Sequence, residues 1–148
     1  MPSQPEPANQ PCPVARSLDV IGDRWSLLIV RDAFDGVHRF GDFQRNLGVA
    51  RNILAGRLQK LVEAGVLQTQ AASDGSAYQE YVLTPRGERL FPVVVALRQW
   101  GERNLFASGE RHSVLVDRRT GKPVGRMDPM TRDGTVIRPA DTEVRKVR

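Results

Sequence analysis

The 148-residue chain predicts a mainly helical α+β fold, on three observations. Apolar residues recur at helical spacing in five stretches between Val14 and Phe106. Two short alternating segments flank the loop tip Asp74-Gly75, as in a β-hairpin. No apolar run approaches the roughly 18 to 20 residues of a membrane span, so no membrane association is expected. The start, Met1-Pro2-Ser3-Gln4-Pro5-Glu6-Pro7, lacks the basic and apolar parts of a signal peptide, and a cytoplasmic location is expected.

Five of the ten prolines fall within the first 13 residues, so residues 1–10 predict a disordered arm. Val14 to Ile21 reads as a short helix carrying Val14, Leu18 and Ile21 on one face. Gly22 interrupts it, and Asp23 suits the N-cap of a helix from Arg24 to Phe34 that carries Trp25, Leu28, Ile29 and Ala33. Asp35-Gly36 ends that helix. Phe40, Phe43 and Leu47 give the next helix its buried face, and Gly48 frees the backbone at the turn. From Ala50 to Ala64, Leu54, Leu58 and Leu61 form one stripe at about 100° per residue. Gly65 suits the left-handed cap that follows. Val66 to Gln70 and Tyr78 to Leu83 then read as two strands. Thr84-Pro85 starts a last helix reaching Phe106, in which Pro92 predicts a kink or a later start. Helix, tight turn, helix and two-stranded wing, in this order from Arg39 to Leu83, point to a winged helix-turn-helix. Such a module sets one helix in the major groove of DNA.

After Ser108-Gly109 the texture changes. Val114–Asp117, Thr120–Val124 and Arg132–Ile137 predict short strands joined by glycine turns, with a faint echo between Val116–Gly121 and Met127–Arg132. The domain reading is therefore an arm at 1–10, a winged-helix and dimerisation domain at 11–107, and a small β-rich extension at 108–148 ending in a charged tail.

Catalysis and cofactors are not expected. One cysteine, Cys12, excludes an internal disulfide and a cysteine-rich zinc site, and His38 and His112 share no ligand spacing. No nucleophile elbow, phosphate loop or paired-carboxylate pattern occurs. The formal charge of +5 suits a polyanion, yet residues 110–148 hold 10 of the 22 basic residues and only 6 of the 17 acidic ones. Most of the excess thus lies outside the DNA-reading module.

Cys12-Pro13, Leu18-Asp19-Val20-Ile21-Gly22-Asp23-Arg24-Trp25, Arg39-Phe40 and Phe43 resemble the HxlR-type regulators. So do Leu54, Arg57-Leu58, Leu61, Glu63-Ala64-Gly65-Val66-Leu67, Tyr81, Leu83-Thr84-Pro85, Gly87 and Leu97-Arg98-Gln99-Trp100-Gly101, all in order over residues 12–106. The resemblance implies a homodimeric, cytoplasmic bacterial transcription factor of MarR-like architecture, dimerising through its N-terminal and long C-terminal helices. Val14, Leu18, Leu90, Val94, Leu97 and Trp100 are the corresponding residues here. The chain departs from family custom at Ala50, where Ser or Thr is common, at Asn52, where Lys or Arg is, and at Ala55, where Ser is. Its turn at Gly48-Val49 is one residue short, and the wing from Gln70 to Gln79 holds Asp74 but no Lys or Arg.

Within that frame Arg51, Asn52, Gln59 and Lys60 are the recognition candidates: Arg or Lys pairs with guanine, Asn or Gln with adenine. Ala55 and Gly56 let the helix approach base edges. Arg39, and less directly Arg45, fit phosphate clamps that position without reading sequence. Arg57 fits either a structural salt bridge or a phosphate contact. Cys12 has two readings, an oxidant sensor like that of some relatives or a structural residue at the dimer interface. Trp25 and Trp100 fit core packing or the lining of a small-molecule effector pocket. The extension either docks on the dimer or attracts phosphates through Arg118, Arg119, Lys122 and Arg126. A protein-binding winged helix without specific DNA contacts is the alternative to a DNA-binding repressor.

Overall fold

The computed structural model of the chain describes residues 11–147, so the arm expected at 1–10 lies outside the described residues. The elements run α1 (Pro13–Ile21), α2 (Ser26–Phe34), α3 (Phe40–Leu47), α4 (Arg51–Glu63), β1 (Leu67–Ala71), β2 (Gln79–Leu83), α5 (Pro85–Glu88) and α6 (Phe91–Asn104). Two compact units divide the chain, one ending at Phe91 and the other starting at Pro92. The first unit is the expected winged helix-turn-helix.

Each boundary in the first unit has a local cause. Cys12 caps α1, its sulfur accepting the Ala15 N–H at 3.4 Å, and Pro13 stands in the first turn, where no N–H is needed. Asp23 does cap α2, but across a turn: its Oδ1 accepts the N–H groups of Trp25 and Ser26, each at 2.9 Å. The helix expected from Arg24 therefore starts at Ser26, because Arg24 and Trp25 form that turn. α3 ends at Gly48, whose φ of 62° is left-handed and whose N–H donates to Gln44 O at 2.9 Å. α4 ends in a Schellman arrangement: Gly65 (φ 77°) donates to Val62 O and Val66 to Leu61 O.

The core is the stripe expected on α4 and what it meets. Leu54, Leu58 and Leu61 are fully buried, with Ile29 and Val30 of α2 and Phe43 of α3. Each such side chain stabilises the fold by about 1.5–3 kcal/mol through burial. β1 and β2 pair antiparallel from Leu67↔Leu83 to Ala71↔Gln79, each strand starting one residue later than expected. Tyr81 N–H also donates to His38 O at 2.7 Å, which ties the wing to the segment entering α3.

The single helix expected from Thr84 to Phe106 is in fact two. Thr84 Oγ1 accepts the Gly87 N–H at 3.0 Å and donates to Gly65 O, so α5 is clamped to the end of α4. α5 stops after four residues, and α6 starts afresh at Phe91 with Pro92 in its first turn. Leu90, expected on the long helix's stripe, falls in the turn between them. Phe91 packs edge-on against Phe34, ring centroids 5.2 Å apart. Gly87 marks a close backbone crossing, since a Cβ there would lie 2.1 Å from Val66 O.

In the second unit the three expected strands shrink to two isolated antiparallel bridges, Val116↔Pro123 and Met130↔Val136. Pro123 has no N–H to extend the first ladder. Two glycine turns close loops here, Gly121 N–H donating to Asp117 O four residues back and Gly134 N–H to Thr131 O three residues back.

Candidate nucleic-acid interface

α4 lies with Leu54, Leu58 and Leu61 inward, which turns Arg51, Asn52, Ala55, Gly56 and Gln59 to solvent. These five sequence-predicted residues share the exposed face. No Cβ on Gly56 would meet anything within 4 Å, so that face stands clear. Gln59 is tied along the helix, donating to Glu63 Oε1 at 3.0 Å. Lys60 diverges from this group. Its Nζ lies 3.8 Å from Asp23 Oδ2, and Arg57 Nε lies 3.2 Å from Asp23 Oδ1. Of the two readings of Arg57, this is the ion pair. Asp23 therefore docks the exposed helix onto the start of α2. Its burial opposes ionisation, but hydrogen bonds from Ser26 and Trp25 and the charge of Arg57 hold its pKa below the ordinary value.

Ala50 precedes α4 in extended conformation and provides no side-chain cap. The first-turn N–H groups of α4 thus lack a side-chain acceptor at the end that carries Arg51, an arrangement suited to a phosphate. The Arg51 guanidinium stacks over Phe40 at 4.9 Å from the ring centroid. Beside it opens a groove of about 700 Å³, lined by Arg39, Phe40, Asp42, Arg45, Arg51, Tyr78 and Tyr81 among others. The groove joins the entry of α3, the entry of α4 and the wing. It gathers Arg39, Arg45 and Arg51, while Asn52, Ala55, Gly56, Gln59 and Lys60 lie outside its lining.

Arg39 is held from three sides by the wing. It donates to Asp74 Oδ2 at 2.5 Å, lies 3.8 Å from Glu80 Oε2 and stacks over Tyr78 at 5.4 Å. The hydrogen bond to Asp74 raises its pKa above the ordinary arginine value. Asp74 is held down at about 2, first by the Ser76 N–H and then by Arg39. Glu80 is 3% exposed on β2; burial disfavours its charge, but hydrogen bonds from Gln70 and Ser73 keep its pKa below the usual value. Arg45 pairs with Asp42 one turn away. Asp74, Tyr78 and Glu80 as partners of Arg39 were missed in the sequence. Their only signal was an acidic loop tip and one acidic residue in an otherwise apolar and polar alternation.

The candidate dimerisation residues fall on two elements. On α1, Val14 and Leu18 are 68% and 56% exposed; on α6, Leu97 and Trp100 are 52% and 59% exposed, and Val94 is half-buried. Leu90, also half-buried, lines a cavity of about 260 Å³ with Arg16, Ser17, Val20, Ile21, Val66 and Arg86. Neither tryptophan lines it. Trp25 is half-buried beneath Arg24, whose guanidinium lies 5.2 Å from its ring centroid. Cys12 is exposed. Among the described residues no cluster of metal-ligating side chains occurs, and no helix is long and apolar enough to cross a membrane.

The profile of the HxlR-like helix-turn-helix family matches residues 20–108. The chain belongs to the HxlR family. This HxlR chain is similar to the HTH-type transcriptional regulator Rv3095 of Mycobacterium tuberculosis, itself uncharacterised, with 47% identity over 92 residues. That match takes in 62% of the chain but 58% of Rv3095, so the chain spans under two thirds of that relative's length. The crystal structure of PA1607, a candidate transcription factor, is similar at 54% identity and a TM-score of 0.89, covering 94% of this chain and 97% of PA1607. The reduced redox regulator HypR is similar at 32% identity and a TM-score of 0.58, covering 63% of this chain and 93% of HypR. The HxlR residues quoted from the sequence coincide with the caps, core and crossings described above: Asp23 docks α4, Gly65 and Thr84-Pro85 set the ends of α4 and α5, and Gly87 permits the crossing.

Proposed function

We propose that this chain is a sequence-specific DNA-binding repressor that acts as a homodimer on a pseudo-palindromic operator. The observation that carries this reading is the exposed face of α4. Arg51 and Asn52 stand at its uncapped start, Ala55 and Gly56 keep the middle low, and a groove with Arg39, Arg45 and Arg51 lies alongside. Bidentate contacts from Arg51 to guanine and Asn52 to adenine would read bases, and the groove would seat the flanking phosphate backbone. The exposed apolar residues of α1 and of α6 support a second copy, because faces of this kind are seldom left to water. A dimer sets two copies of α4 on half-sites about one helical turn, or a multiple, apart.

A response to an oxidant at Cys12, or to a small molecule, would act by changing the separation of the two α4 helices. That HypR is a redox regulator supports the Cys12 reading, which here rests on an exposed thiol capping α1. The competing reading is a winged-helix module that binds protein, favoured by the acidic wing tip that holds Arg39. Repeated selection of bound duplexes from a random pool separates the two. Enrichment of an inverted repeat supports the repressor; retention of no sequence over another supports the protein-binding module.

A further inference from the structure

We propose that the C-terminal extension is a second DNA contact, two hydrogen-bonded loops whose exposed cations Arg118, Lys122 and Arg132 grip DNA phosphates. The inference rests on the DNA-binding reading above and assigns the extension a task within it.

Four cations of the winged unit are already engaged by carboxylates. Arg39 is held by Asp74 and Glu80, Arg45 by Asp42, and Arg57 and Lys60 by Asp23. A cation already paired releases few DNA counterions, and counterion release is the main source of sequence-independent affinity. In the described part of the winged unit Arg51 keeps a guanidinium with no acidic partner for the reading helix, and further unpaired positive charge lies on the extension. Among the described residues, Arg118, Lys122 and Arg132 are exposed and their side chains make no hydrogen bond or ion pair, whereas Arg119 lies 3.6 Å from Asp117 and Arg126 lies 3.2 Å from Asp128.

These three side chains sit on defined loops. The first is closed by Gly121 N–H on Asp117 O at 2.7 Å and Asp117 N–H on Lys122 O at 2.8 Å, and turns through Gly121 at φ 71°. The second is closed by Gly134 N–H on Thr131 O at 3.0 Å and Thr131 N–H on Thr135 O at 2.8 Å, and turns through Gly134 at φ 90°. Gln99 on α6 grips the link between them, donating to Gly125 O at 3.0 Å and accepting the Met127 N–H at 2.8 Å. Arg98 holds the start of the extension through Ser113, at 3.1 Å to its carbonyl and 2.9 Å to its hydroxyl. A cation on an anchored loop loses less entropy on meeting a phosphate than one on a free tail. The HypR likeness takes in 63% of this chain and the PA1607 likeness 94%. The family profile ends at residue 108, so residues 109–148 lie beyond the stretch it matches.

The test uses the full chain with Arg118→Gln, Lys122→Gln and Arg132→Gln combined. Fluorescence anisotropy measures binding to the selected operator and to an unrelated duplex of equal length, from 50 to 200 mM salt. Each lost phosphate contact lowers the slope of log K against log salt by about 0.9, so the triple variant loses roughly 2 to 3 from the slope. Affinity falls by the same factor on both duplexes, leaving their ratio unchanged. A slope within about 0.5 of the wild-type value overturns the inference, as does a loss confined to the operator. Arg111→Gln, outside the loops, is the control that keeps the wild-type slope. If the wild type binds neither duplex, the DNA-binding reading itself falls; if it binds and the triple variant matches it, only the role of the extension does.

Discussion

Replacing Gly87 by alanine adds one methyl group at the tightest backbone crossing in the winged unit. The new Cβ would lie 2.1 Å from Val66 O and 3.0 Å from Leu83 Cδ2, and the oxygen belongs to backbone that is itself bonded to Thr84 N–H at 3.1 Å. Normal contact requires a separation of more than 3 Å, so α5 must move by about 1 Å from the end of α4. That movement strains the packing by about 1–3 kcal/mol, and loss of the Thr84 bonds to Gly65 O and Gly87 N–H adds about 1 kcal/mol for each. We expect Gly87→Ala to destabilise the chain by about 3–5 kcal/mol. Gly56→Ala is the internal contrast: its Cβ meets nothing, it lies inside α4, and alanine there should stabilise by about 0.5–1 kcal/mol. Urea unfolding followed by tryptophan emission, with Trp25 as reporter inside the unit, gives both values. Equal effects of the two substitutions, or a Gly87→Ala midpoint at the wild-type value, would refute the crossing as the reason for this glycine.

Ala50→Ser restores a side-chain acceptor at the start of α4 and should raise stability by about 1 kcal/mol, read as a higher urea midpoint; no change would mean the first turn is already satisfied. Asp74 has a folded pKa of about 2 against an ordinary 3.8, so its hold on Arg39 is complete above the ordinary value and fades as pH falls towards 2. Amide exchange of the wing should therefore quicken relative to the α4 core over that window, and Asp74→Asn should abolish the pH-dependent part. Cys12→Ser keeps the cap of α1 and hence the wild-type Tm. If Cys12 senses oxidants, peroxide weakens operator binding of the wild type but not of Cys12→Ser, and a non-reducing gel shows a cross-linked dimer or mass spectrometry a thiol adduct. Unchanged binding with neither product retires the sensor reading.

The parts of the fold that were legible in the sequence obey short-range rules. The stripe Leu54, Leu58 and Leu61, the cap at Gly65 and the start at Thr84-Pro85 each depend on residues within a few positions, and each stands as read. Pro92 announced a break but not its place, because a helix can bend at proline or begin there, and the four-residue α5 settled on the second course. The site was less legible. The exposed face of α4 follows from its buried stripe, but the partners of its cations do not. Arg39 and Asp74 are 35 positions apart, and it takes the β1–β2 hairpin together with its docking on His38, through the Tyr81 N–H, to bring them together. Likewise Asp23 was read as a helix cap, which it is, while its grip on Arg57 and Lys60 required the packing of α2 on α4. In the extension the glycine turns were visible, but strands were not formed because each ladder closes after one residue pair.

The central claim is that α4 reads DNA sequence through Arg51 and Asn52. Anisotropy on the selected operator and on a scrambled duplex, for the wild type and for Arg51→Ala with Asn52→Ala, tests it most directly. Two lost bidentate contacts at about 1–3 kcal/mol each predict that the double variant loses at least ten-fold in operator affinity and that its preference for operator over scrambled DNA collapses. Binding that ignores sequence in the wild type, or a preference that survives both substitutions, would contradict it.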